Sequence, residues 1–151
     1  MGSSISRREA VAGAAIGAVA FGAGAESAMA AKASMQGSWR ITPQLPVGAP
    51  AFVALAAFGA GGVFITTGSD EPGTGIGQWK RKGDSGFVFA YTNFHFDAQG
   101  RLESTVDVTA KGTFKGKNLK GTATLTRTDS DGAPVGSPQV SEFTGRRMQA
   151  Q

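Results

Sequence analysis

One histidine, His95, and no cysteine occur in a chain of 151 residues, and those two facts decide most of the chemistry open to it. Without thiols there are no disulfides, thiolate zinc sites or cysteine nucleophiles. A His-rich metal cluster is excluded too, so a metal site would have to rely on carboxylates; no metal and no cofactor is expected. A triad of nucleophile, histidine and acid would have to be built around His95. No such triad, dinucleotide-binding pattern or phosphate loop is visible.

His95 lies in the run Tyr91-Thr92-Asn93-Phe94-His95-Phe96-Asp97. Strand side chains alternate between faces, so Phe87, Phe89 and Tyr91 hold one phase and Phe94 and Phe96 the other. The apolar face changes phase near Thr92 and Asn93, and two arrangements follow. A β-bulge there returns all the rings to one face. Without it, Asn93, His95 and Asp97 continue inward from Tyr91, and Tyr91 and His95 become the weak candidates for acid-base chemistry. The plainer reading of His95 is a surface or hydrogen-bonded structural residue.

The elements that must position these groups are strands. From Gly37 onward no segment sustains a helical period, whereas short runs rich in Val, Phe and Thr recur between clusters of Gly, Pro and Asp. Eight strands are predicted, over residues 37–42, 52–58, 63–67, 77–82, 87–97, 101–114, 119–128 and 140–148. The 23 glycines are about twice the usual share, and many fall in connections of hairpin length such as Gly59-Ala60-Gly61-Gly62 and Lys115-Gly116-Lys117-Asn118. Consecutive antiparallel pairing follows. Leu119, Gly121, Ala123 and Leu125 alternate with Lys120, Thr122, Thr124 and Thr126, and Val106, Val108 and Ala110 alternate with Thr105, Asp107, Thr109 and Lys111. One sheet face is therefore dry and the other wet. With no helix to cover the dry face, the strands close into a barrel or fold over as a sandwich, and short connections favour the barrel. The expected fold is all-β, an eight-stranded antiparallel up-and-down barrel preceded by a signal-peptide helix. Long links after strands one, three and seven mark a loop-fringed mouth, and tight links after strands two, four and six mark a floor.

Residues 1–30 read as an export signal, 31–36 as a short linker, 37–148 as the barrel domain and 149–151 as a tail. The signal has a polar start around Arg7 and Arg8, an apolar stretch from Ala10 to about Ala25, and Ala28-Met29-Ala30 as a small-residue cleavage site, with cleavage after Ala30. The apolar stretch is too diluted by Gly and Ala to serve as a permanent membrane anchor. Ser6, Arg7 and Arg8 resemble a twin-arginine (Tat) signal, which implies a bacterial protein folded before transport to the periplasm or beyond; an ordinary Sec signal and an uncleaved helix are the alternatives. Cleavage removes Arg7, Arg8, Glu9 and Glu26, two of each sign, so the net charge of +4 stays with the domain.

Inside the barrel, Ala54 and Ala56 stand between Phe52 and Phe58 on one face of the second strand, and Gly121 and Ala123 are small residues across from them. An eight-stranded barrel is just wide enough to be filled by side chains or to hold one small ligand, and small inward residues favour the second outcome. The expected ligand-binding wall comprises Phe52, Ala54, Ala56, Trp79, Phe89, Tyr91, His95 and Leu125, with Trp79 near the mouth, and suits a flat or aliphatic apolar molecule. Complete filling by Trp39, Trp79 and the Phe-rich fifth strand is the alternative. The basic groups Lys80 to Lys82 and Lys115, Lys117 and Lys120 cluster at hairpin ends, where edges and turns need solvation, and an exported protein seldom meets nucleic acid, so nucleic acid is not expected as a partner. Attraction to anionic cell-surface polymers or lipid headgroups is the alternative.

Gly37-Ser38-Trp39 resembles the G-x-W of the calycins, the lipocalin-like barrels, and Arg147 resembles the arginine those barrels commonly set against that tryptophan. The resemblance implies a Trp39 and Arg147 pair closing the barrel floor. The runs Gly75-Ile76-Gly77-Gln78-Trp79, Phe87-Val88-Phe89-Ala90-Tyr91 and Phe94-His95-Phe96-Asp97 look like those of small secreted bacterial barrel proteins. The expected function is an exported, periplasmic or extracellular barrel that binds a small hydrophobic ligand, with the export machinery as its other partner. Placed behind it are a small barrel cyclase or isomerase acting on an apolar substrate, and a structural or inhibitory surface module with a filled barrel.

Overall fold

The structure, a computed structural model, describes residues 34–45, 47–49, 51–69 and 73–149. The export-signal positions Arg7, Arg8, Ala28 and Ala30, and the apolar stretch between them, lie outside the described residues.

Eight strands form one closed barrel in sequence order: β1 (Gly37–Gln44), β2 (Ala54–Phe58), β3 (Val63–Gly68), β4 (Thr74–Lys82), β5 (Gly86–Phe96), β6 (Leu102–Lys115), β7 (Asn118–Asp129) and β8 (Gln139–Arg147). Each pairs antiparallel with the next, and β8 closes on β1. This is the all-β up-and-down barrel that the alternation implies. Among the strand ends that differ from the sequence reading, two bear on the expected binding wall. Phe52 precedes β2, and β4 begins three residues earlier than expected because Thr74, Gly75 and Ile76 pair with Thr67, Thr66 and Ile65.

Alternate residues fill the interior. Phe58, Phe64, Phe87, Phe89 and Phe143 are buried together with Val106, Val108, Ala110 and Leu119. Their rings form one packed body: Phe64 stacks on Phe89 with centroids 4.5 Å apart, Phe58 meets Phe64 edge-on at 4.9 Å, and Phe143 lies 5.9 Å from Phe89. Such pairs contribute about 0.5–1.5 kcal/mol each beyond the burial of their area.

Gly121 does not enlarge a cavity. It is the Cα partner of Phe143, and a Cβ on it would lie 2.6 Å from Phe143 Cζ. The ring occupies the space the glycine leaves, so a small residue here marks where a large one crosses.

The floor is sealed from below by the incoming chain. Trp39 is fully buried and donates its indole N–H to the Met35 carbonyl at 3.0 Å. Met35, placed in the linker by the sequence reading, is itself 1% exposed and part of the core.

Candidate functional site

Above the packed rings, the mouth end of the barrel is polar. β5 and β6 stay in continuous register from Gly86 and Thr113 to His95 and Ser104, and the shift comes only between His95 and Phe96. Phe96 then pairs with Leu102, which leaves Glu103 on β6 as the extra residue. The irregularity therefore lies beyond Thr92 and Asn93, not at them. Asn93 and His95 continue on the inward phase of Tyr91, while Phe94 and Phe96 stand on the outer wall, 51% and 56% exposed.

Asp97 does not continue that inward series. It follows β5 and closes the hairpin to β6: its Oδ1 accepts from the backbone N–H groups of Gln99 and Arg101, both at 2.9 Å, and its Oδ2 accepts from Arg101 Nε at 2.8 Å. The backbone N–H of Arg101, helped by that residue's side chain, holds the Asp97 carboxyl below its ordinary value.

Register brings the mouth residues into rows. Tyr91 faces Gly77 and Val108, Val108 faces Leu125, Asn93 faces Val106, and Val106 faces Arg127. Thr66, buried on β3, is the partner of Gly75 and Ala56. The Tyr91 ring lies 5.4 Å from Phe64, at the top of the ring stack.

Gly75 makes that placement possible. A Cβ there would come within 2.6 Å of Tyr91 Cδ2 and 2.9 Å of Thr66 Cγ2, so any side chain would displace the tyrosine from the wall. Gly73 does the same for Asn93, whose Oδ1 would sit 2.8 Å from such a Cβ.

Asn93 and Ser104 are 9% and 4% exposed. Among the described residues nothing forms a hydrogen bond with Asn93 Oδ1 or Ser104 Oγ. An amide oxygen accepts and a hydroxyl both donates and accepts, so this pair offers complementary polar contacts beside an apolar floor of Phe64, Phe89 and Tyr91. Comparison of the chain with protein-family models, with curated proteins and with solved structures gives no match.

The expected wall divides into two groups. Phe89, Tyr91, His95, Leu125, Ala54 and Ala56 all lie on inward phases. Phe52 is half-buried in the link before β2. Trp79 belongs to the floor: its ring packs against Phe58 at 5.7 Å and its indole N–H donates to the Gly59 carbonyl at 2.8 Å, in the turn between β2 and β3. Its expected place at the mouth came from starting β4 too late. Ser104 and Thr66 were overlooked, although extending the alternation of Val106 and Val108 by one step, or of Phe64 by one step, reaches them. Among the described residues no group of three or more His, Asp or Glu side chains is placed to hold a metal ion.

Proposed function

We propose that this protein binds one small, largely apolar molecule with a neutral hydrogen-bonding head in the mouth of its barrel. What carries the reading is the pair Asn93 Oδ1 and Ser104 Oγ, buried without hydrogen-bond partners among the described residues above a floor of aromatic rings. A buried polar group left unsatisfied costs about 1–3 kcal/mol, and a ligand hydroxyl or amide that meets both atoms recovers that cost. Rings below and Leu125 beside them supply the apolar contact. The lower barrel is filled by Phe58, Phe87, Trp79 and Phe143, which restricts the ligand to the mouth.

Organic extraction and native mass spectrometry of the purified protein identify what travels with it, and titration with the neutral fluorophore N-phenylnaphthylamine measures the site. The expected result is one displaceable probe per chain, weakened about tenfold by Asn93→Leu, the loss of roughly one buried polar contact. Absence of displaceable binding, or binding untouched by Asn93→Leu and Tyr91→Ala alike, overturns the proposal in favour of a filled barrel working through its loops.

A second reading draws on the shared inward phase of Tyr91, Asn93 and His95: a cyclase or isomerase that holds an apolar substrate in one conformer, where proximity supplies much of the rate. An extracted compound that changes chromatographic retention at constant mass on incubation with the protein, but not with His95→Ala, supports it. Export belongs to the same proposal and rests on Arg7, Arg8 and the Ala28-Met29-Ala30 site. Changing both arginines to lysine is expected to leave precursor in the cytoplasm, and unchanged export removes the twin-arginine reading.

A further inference from the structure

The outer wall carries a feature that the mouth does not use. Near the floor, Arg40 faces Arg146, Arg146 faces Asn118, and Asn118 faces Lys115. One row higher, Thr42, Thr144, Lys120, Thr113, Gly86 and Lys82 follow one another across six strands. The next row runs from Gln44 through Glu142, Thr122, Lys111 and Val88 to Lys80. All seven of these cations are exposed, with Glu142 as the acidic member of the three rows. By contrast Asp97, Glu103, Asp107, Asp129 and Asp131 lie in the mouth half, and Asp84 in the turn between β4 and β5 is the one further described acid on the floor side. Two shallow grooves follow the basic rows, one lined by Arg40, Lys115, Lys120 and Arg146, the other by Lys82, Lys111 and Lys120. Lys120 is common to both, so they join.

Geometry selects the partner. Six adjacent strands make five steps of about 4.8 Å, a band roughly 24 Å long. Strands in such a barrel tilt about 35–45° to its axis, so a line drawn across them climbs the wall as a helix. A flat bilayer meets a curved, climbing band at few of its cations, whereas a flexible chain follows it. Guanidinium, ammonium and threonine hydroxyl groups share the grooves and donate from several directions, which suits a tetrahedral oxyanion better than a planar carboxylate. Between the cations the row residues are Thr, Asn, Gln, Gly, Val and the one acid Glu142, with no ring on which a base would stack. We propose that this band binds a linear phosphate polymer without bases, independently of whatever occupies the mouth.

Titration of the full chain with long-chain inorganic polyphosphate over a range of salt concentrations tests this. Expected are binding at low salt, a plot of log affinity against log salt with a slope of about −3 or steeper, and no equivalent competition by orthophosphate at equal phosphate concentration. The variant Arg40→Gln, Lys120→Gln, Arg146→Gln weakens binding at least about tenfold and flattens the slope by about two, roughly 0.7 for each of the three contacts it removes. Lys82→Gln with Lys111→Gln weakens it as well, while Arg101→Gln at the mouth leaves it unchanged. These side chains are exposed, so matching circular dichroism and urea midpoints confirm that the variants fold. No polyphosphate binding, an unaffected triple variant, equal binding of polyglutamate, or tighter binding of phosphatidylglycerol vesicles or single-stranded DNA each overturns the proposal.

Discussion

Arg147 and Trp39 are Cα partners on β8 and β1, and the guanidinium carbon of Arg147 lies 4.8 Å from the centre of the Trp39 ring. The same guanidinium donates through Nη1 to the Gln36 carbonyl at 2.8 Å and through Nη2 to the Ser34 carbonyl. Because Trp39 donates to the Met35 carbonyl between them, three successive backbone oxygens are held by one stacked pair. The pair therefore links the first strand, the last strand and the chain entering below them. The barrel seam and its floor are one structure.

Replacing Arg147 with Ala removes the stacking and leaves two carbonyls to water, a loss of about 2–3 kcal/mol. Lysine restores the charge but has no planar fork to cover the indole while reaching both carbonyls, so Arg147→Lys is expected to recover less than half of the loss. Urea unfolding of the three proteins measures this. Equal stability of all three means the contact contributes nothing.

Gly121→Val forces a branched side chain into the space of the Phe143 ring, and overpacking of this kind costs about 1–3 kcal/mol. Phe143→Leu shortens the crossing residue, so the double variant is expected to lose less than the sum of the two single changes. Simple additivity in thermal or urea unfolding shows that the two positions do not compete for one space.

The strand pattern and barrel closure were legible because each turn is marked by its own residues and each strand by its alternation. The interior was harder to read, since its shape depends on pairs distant in the chain. Gly121 reads locally as empty space, yet Phe143, on the next strand, fills it. Gly75 reads locally as a loop residue; it is strand, paired with Thr66, and the Tyr91 ring takes the room of its missing side chain. The orientation of His95 turned on whether β5 bulges at Thr92 and Asn93; the register with β6 runs unbroken as far as His95, and the extra residue, Glu103, comes only beyond it, which nothing within β5 announces. Met35 escaped notice because a lone methionine carries no period, and only the floor beneath Trp39 gives it a place.

Asp97 gives the hairpin between β5 and β6 a sensitivity to acid. Its carboxyl is held below the ordinary value of 3.8 chiefly by the Arg101 backbone N–H, so the folded form favours the carboxylate. The stabilisation is present above that ordinary value and is lost as pH falls through the lower, folded one. Asp97→Asn is expected to reduce the dependence of the urea midpoint on pH between about 2 and 4, and to lower the midpoint at neutral pH. A variant with the parent's full pH dependence locates that dependence in other carboxylates.

Ser104 separates a binding role from a structural one. A serine hydroxyl that pairs within the protein contributes about 1 kcal/mol, and its removal destabilises by that amount. Ser104 Oγ is buried and has no such partner among the described residues, so Ser104→Ala removes an unsatisfied group together with a small volume. The ligand-free protein is then expected to unfold at an unchanged or slightly higher urea concentration, within about 1 kcal/mol of the parent. For the same reason the substitution is expected to weaken binding of a hydroxyl- or amide-bearing ligand more than binding of its hydrocarbon analogue, because only the first meets the oxygen. Measured together, unfolding and the two affinities distinguish the roles. Loss of more than about 1 kcal/mol in the ligand-free protein, with both ligands weakened alike, assigns Ser104 to the fold and removes it from the mouth site.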